Sequence, residues 1–316
     1  MPWVAKEENN ARGTPSNLMT ENQVNFATCF LSPSENATQN NPCDPNLLLH
    51  GLDIAKRNRN LFVSAETLSK IDIEGVNLLS SYLAHWQEVT IVIYYRRFFD
   101  WFISVYNEKS KSRKITDTVK WNTSIIDFAT SHVGIYNANS SHYTPFVVDR
   151  LKTKFDNIVV ANYHDKSEGE LDESFFCNIM PNATHTCNAI RSQTKHVKFN
   201  AKENLDYSDL AYGAKQAGLV EINSDQDMRR FAKKIEDHHE KALNGAPFRR
   251  ECLPSHVLEE IWNITLTSEM WMLPSSTDTA LAEMRAEFEI ASNTKLCKVD
   301  VRKTLSDPSW IQFFGH

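Results

Sequence analysis

Three residues at intervals of four, Arg96, Asp100 and Ser104, stand where an apolar run gives way to an aromatic one in VTIVIYYRRFFDWFISVYNE (89–108). A guanidinium presents its N–H donors in a rigid fork and stays charged at any physiological pH. A serine in the first turns of a helix adds a hydroxyl, and the amino end of that helix adds a positive field. Arg96 and Ser104 in such a setting are equipped to hold an anion, with Arg97 as a further cation beside them. Asp100 suits another task, capping a helix that begins near Trp101. The plainer alternative is that Arg96 and Arg97 pair with nearby carboxylates and bind nothing.

These side chains act together only if the surrounding chain fixes them. VTIVIYY is β-branched or aromatic at every position, as expected of a strand covered on both faces. Ahead of it come NLFVSAE (60–66), a short β-rich run, and GVNLLSSYLAHW (75–86), an amphipathic helix. Strand, helix, strand in that order predicts a right-handed crossover between parallel strands. A helical segment, TPFVVDRLKTKF (144–155), and a third strand, NIVVANYH (157–164), continue the alternation. In open α/β sheets ligands bind beyond the carboxyl ends of strands, and Arg96 and Arg97 lie at such an end.

The remaining elements frame this centre. Residues 1–46 are rich in Asn, Ser, Thr and Pro and read as irregular, ahead of a short helix in PNLLLHGLDIAKRN. EKSKSRKITDTVKW (108–121) is a basic polar loop, either solvated or in contact with an acidic acceptor. From about 206 the pattern is helical: YSDLAYGAKQAGL ends at a glycine, and Ser224 caps DQDMRRFAKKIEDHHEKAL. SHVLEEIWNITLTSEMWML and STDTALAEMRAEFEIA follow. His238 and His239 are adjacent on one helix, cannot face one ligand together, and read as solvated rather than as a metal pair.

Composition narrows the classes. A net charge of −6 over 316 residues, with no long basic stretch, argues against a general nucleic-acid binder. No run of eighteen apolar residues occurs, so no membrane span is expected. Of the six cysteines, Cys29, Cys43, Cys177, Cys187, Cys252 and Cys297, none forms a CxxC pair, so neither a zinc nor a redox motif is expected. Cys177 and Cys187 close the short loop CNIMPNATHTC and are the favoured disulfide. Sequons at Asn36, Asn122, Asn139, Asn182 and Asn263 are about as many as chance supplies at this Asn content.

Arg-x-x-x-Asp-x-x-x-Ser after a parallel strand resembles the 3′-phosphate-binding segment of sulfotransferases that use 3′-phosphoadenosine-5′-phosphosulfate (PAPS). LFVSAE, YYRRFFDWFISVYN, NIVVANYH, FFCNIMPNATHTC and the closing LCKVD and DPSW follow in the order of a divergent, Golgi-type branch of that family, over most of residues 47–312. The resemblance implies one α/β domain of P-loop NTPase-like fold at 47–312, a parallel sheet flanked by helices with a helical carboxyl-terminal part. It implies PAPS as donor, no metal, a carbohydrate or protein hydroxyl as acceptor, and the Golgi lumen as location. Arg96 and Ser104 would grip the 3′-phosphate with Arg97 nearby, and Glu66, at the end of the preceding strand, would be the base, with Ser64 helping to position the group. Some fucosyltransferases also carry paired arginines before an aspartate, but with one residue between rather than two.

The family also needs a Gly-rich 5′-phosphosulfate loop after a central strand. Only ARGTPSN, with Arg12, Gly13 and Thr14, approaches it, and no apolar strand precedes that stretch. The resemblance therefore implies either that the sequence starts downstream of an anchor, the central first strand and this loop, or that the protein is a catalytically inactive binding or scaffold descendant. MPWVAKEENNARGTPSN has no signal-peptide layout, in keeping with the first expectation.

Overall fold

The computed structural model describes residues 68, 70–84, 86–111, 113–134, 144–165, 170–180, 183–192 and 205–314. The irregular segment 1–46, the helix in PNLLLHGLDIAKRN, the strand at 60–66 with Ser64 and Glu66, and Arg12, Gly13 and Thr14 lie outside them. So do Cys29, Cys43 and the sequons at Asn36, Asn139 and Asn182.

Helix α1 (Ile73–Leu83) starts at Asp72, whose carboxylate accepts from the Gly75 N–H. Strand β1 (Thr90–Tyr95) follows, and α2 (Phe98–Lys111) begins only three residues after its end. Two shorter helices come next. Asp117 caps α3 (Thr118–Asn122), and Ser124 and Asp127 form a reciprocal capping box on α4 (Ile125–His132). The segment 108–121 is a loop only between two helical ends, since α2 runs to Lys111 and α3 begins at Thr118. After α5 (Thr144–Lys152) comes β2 (Asn157–Asn162), which pairs with β1 in parallel from Thr90 opposite Asn157 to Tyr95 opposite Asn162. A parallel pair was the sequence expectation, and the fold is mixed α/β.

Helix α6 (Leu171–Ser174) runs into a single π turn at Phe175–Ile179, and α7 (Thr184–Arg191) follows. A bond between Cys177 and Cys187, expected from their spacing, ties the π turn to α7. Helix α8 (Leu205–Gln216) stops at Gly218, whose φ of +71° is the left-handed conformation that closes a helix at little cost only for glycine. The expected Ser224 cap opens α9 (Asp225–Ala242), accepting from the Asp227 N–H.

The second strand pair was not expected. β3 (Arg250–Cys252) precedes α10 (Ser255–Met272) and α11 (Asp278–Thr294), and β4 (Cys297–Val299) returns antiparallel to β3. A second disulfide, Cys252–Cys297, joins the two strands. Helices α12 (Val301–Leu305) and α13 (Pro308–Phe314) end the described chain.

Two compact units result, one holding the described residues up to Tyr95 with 144–162, the other 96–134 with residues from 163 on. In the first, Val76, Leu79 and Tyr82 of α1 pack on Val147 and Leu151 of α5 and on Phe155, with Ile91, Ile93 and Ile158 of the strands against them. Ile91, Val92 and Ile93 are half-buried rather than enclosed on both faces, since among the described residues β1 pairs with β2 alone. In the second unit α2, α4, α10 and α11 share a core around Phe99, Phe102, Phe128, Ile261 and Phe288. A separate core forms where α8 and α9 meet Val299 and Trp310.

The adjacent histidines of α9 depart from the sequence expectation. His239 is buried: its Nε2 donates to the Ala246 carbonyl at 2.6 Å, and its Nδ1 lies 3.1 Å from the Tyr207 hydroxyl. His238 is half-buried and stacks on Phe313. Neither is solvated, because Phe248, Trp310 and Phe313 close over this end of α9.

Candidate functional site

The register that sets Tyr95 opposite Asn162 carries over to the residues leaving the two strands. Arg96 comes beside Tyr163, its guanidinium carbon 5.0 Å from the ring centroid. Arg97 comes beside His164, and its backbone N–H donates to His164 Nε2 at 3.2 Å. An acceptor Nε2 requires the neutral ring to carry its proton on Nδ1. That nitrogen lies 3.7 Å from Asp100 Oδ2, and Lys295 Nζ is 3.6 Å from Asp100 Oδ1.

Asp100 is therefore not the helix cap that its spacing implied. The first bond of α2 runs from the Trp101 N–H to the Arg97 carbonyl, and Asp100 sits inside the first turn. Phe98 and Phe99 are the cause, because both are buried in the core of the second unit and draw the helix start forward to themselves. A carboxylate in the first turn still favours the helix through its field. Here it also stands beside the His164 ring and the Lys295 ammonium.

The neighbouring arginines have opposite environments. Arg97 is 6% exposed, donates from Nη1 to Glu287 Oε2, and has its Nε 3.8 Å from Oε1 of the buried Glu269. Its guanidinium is paired with carboxylates on α10 and α11, although its Nε, at 3.8 Å, makes no hydrogen bond. Arg96 is half-buried, and its Nε is enclosed without a hydrogen-bond partner. Among the described residues no carboxylate pairs with Arg96, and its guanidinium lies against the Tyr163 ring. Ser104 lies on α2 one turn beyond Asp100, half-buried, away from the side that buries Phe98, Phe102 and Tyr106.

Elsewhere in the second unit, the basic stretch at 108–121 sends one of its cations inward. Arg113, with its side chain 4% exposed, binds Asp209 at 2.7 Å, the Tyr106 hydroxyl at 2.9 Å and the Thr123 carbonyl at 3.2 Å. Its guanidinium also lies over Trp121, which stacks on Tyr212. Burial pushes the Asp209 carboxyl up to about 6 in spite of Arg113, and burial likewise raises the Tyr106 phenol.

Tyr163 and His164 were missed as site residues because the sequence reading placed both in the strand. The available signal was the parallel register, since whatever follows β2 must stand beside whatever follows β1. Glu269, Glu287 and Lys295 carry no local signal at all. Glu66 lies outside the described residues. Among the described residues no group of three or more His, Cys, Asp or Glu could hold a metal, and no helix is long and apolar enough to cross a membrane. Compared with protein-family models, with curated proteins and with solved structures, the chain matches none.

Proposed function

We propose that the protein is a sulfotransferase-like α/β protein of P-loop NTPase-like fold, binding PAPS through its 3′-phosphate and passing the sulfuryl group to a carbohydrate or protein hydroxyl in the Golgi lumen. Arg96 and Ser104 are the phosphate ligands. The observation that carries this reading is that Arg96 has an enclosed Nε without a hydrogen bond and no carboxylate partner among the described residues, whereas Arg97 beside it is paired with Glu287 and Glu269. An enclosed guanidinium nitrogen without a partner is costly, and a phosphate oxygen is the partner that such a fork fits best. Tyr163 supports the group from its face, and Asp100 keeps His164 and the start of α2 in place without touching the anion. Glu66 is the proposed base, removing the acceptor hydroxyl proton as sulfuryl arrives.

Titration of 3′-phosphoadenosine-5′-phosphate against the protein, followed by calorimetry, tests the grip. Saturable binding that falls at least about tenfold in Arg96→Ala, equivalent to roughly 1.4 kcal/mol, supports it. A folded protein that binds no nucleotide would overturn it. Transfer of labelled sulfuryl from PAPS to a glycan or peptide pool then separates an enzyme from a catalytically inactive binding or scaffold descendant.

A further inference from the structure

Disulfides form and persist in secretory and extracellular compartments and are rare where thiols are kept reduced. All four cysteines among the described residues are bonded, as Cys177–Cys187 and Cys252–Cys297. A chain that folds under those conditions also meets the machinery that modifies Asn-x-Ser/Thr, whose product is a bulky sugar suited only to a surface position. Two of the five sequons, at Asn122 and Asn263, fall among the described residues.

Their settings differ. Asn263 lies in the middle of the 18-residue helix α10. Its partner Thr265 is fully buried, with the hydroxyl donating to the Ile261 carbonyl at 2.8 Å. Presenting that hydroxyl to an enzyme would require unwinding α10 and pulling Thr265 out of the interior. Asn122, by contrast, is the exposed last residue of the five-residue helix α3, which buries none of its side chains. Thr123 and Ser124 are already extended, with ψ of 97° and 169°. Ser124 Oγ bonds only within its own capping box, to Asp127. The Asn122 side chain and the Ser124 hydroxyl can meet a modifying enzyme, and the asparagine can carry a sugar afterwards, without drawing a fully buried side chain out of the interior. The contacts at risk are those of the Thr123 carbonyl with Arg113 and of Trp121 with Tyr212.

We infer that Asn122 is an N-glycosylation site of this protein. Asn122 Nδ2 displaces the diphosphate from the anomeric carbon of a polyprenyl-diphosphate-linked oligosaccharide. A C–N bond forms, the C–O bond to the diphosphate breaks, and the diphosphate leaves with the bonding pair. The amide nitrogen gives up one proton to the transferase, and nothing is oxidised or reduced. The inference rests on the disulfides and the local geometry, and is independent of the nucleotide reading.

The test is to produce the full chain behind a cleavable secretion leader in eukaryotic cells and to confirm both disulfides by non-reducing peptide mapping. Enzymatic release of sugars in heavy-oxygen water then marks each occupied Asn as labelled Asp. Label is expected at residue 122. The Asn122→Gln and Ser124→Ala variants should each lose one glycan-sized step on a gel. Ser124→Thr, which keeps both the hydroxyl and the cap, should retain it. A bare Asn122 in secreted, disulfide-bonded protein overturns the inference, and so does label confined to Asn263.

Discussion

Arg96 and Arg113 are both largely enclosed arginines with an aromatic ring against the guanidinium, yet their surroundings are complementary. Arg113 reaches a carboxylate, a phenol and a backbone carbonyl. Arg96 reaches a tyrosine face and leaves Nε without a hydrogen bond. The first arrangement is complete and holds α8 to the segment after α2. The second lacks a carboxylate partner among the described residues, which is the feature the proposed phosphate site rests on. Arg97, one residue from Arg96, shares its unbonded Nε but, unlike Arg96, is paired with two carboxylates. Adjacency in sequence therefore says nothing about which arginine is free to bind.

The largest effects should come from breaking the buried charge pairs. Arg113→Ala leaves Asp209 and Tyr106 without their cation, and Arg97→Ala does the same to Glu269, which is 2% exposed. Removing one partner of a buried pair costs about 3–5 kcal/mol. Urea unfolding should show losses of that order for both, and a loss below about 1 kcal/mol would put these pairs in the class of surface ion pairs.

A smaller effect appears as pH dependence. The folded Asp209 carboxyl holds its proton up to about 6, against an ordinary value of 3.8. The folded state thus binds the proton more tightly than the unfolded state. The stability this group contributes is full below 3.8 and is lost as pH rises through about 6. Asp209→Asn should remove that slope, so that wild type loses about 1–3 kcal/mol relative to the variant between the two pH values. Parallel unfolding curves across that window would contradict the burial of this carboxyl.

The smallest stability effects belong to the incomplete site. Arg96→Ala should change stability by no more than about 1 kcal/mol, while on the proposed function 3′-phosphoadenosine-5′-phosphate binding should fall at least about tenfold. Ser104→Ala should leave unfolding within about 0.5 kcal/mol and weaken 3′-phosphoadenosine-5′-phosphate by several-fold, the scale of one hydrogen bond. A large stability loss at Arg96 would erase the distinction between the two arginine sites.

What was legible in the sequence was local. Thr90 to Tyr95 declare a strand because every residue is β-branched or aromatic, and Ser224 announces its helix through Asp227. Cys177 and Cys187 are close enough to find each other without knowledge of the fold. What was hidden is non-local. Cys252 and Cys297 are separated by 45 residues and two long helices, and three-residue strands such as Arg250–Cys252 have no room for an alternating pattern. The pairing of Arg97 depends on Glu269 and Glu287, more than 170 positions away, which meet it only because α10 and α11 pack beside α2. Asp100 was misjudged as a cap because propensity at that position was overruled by the burial of Phe98 and Phe99.

The bond between Cys252 and Cys297 has a topological side. It encloses α10, α11 and the exposed turn between Met272 and Asp278 in one covalent ring. A protease that cuts in that turn opens the ring without dividing the protein, because the two ends remain joined through sulfur. The nicked chain keeps its mass on a non-reducing gel and parts into two pieces only when thiol is added. Backbone integrity and molecular integrity are thereby uncoupled over this stretch, so a single surface cut there cannot by itself release either helix.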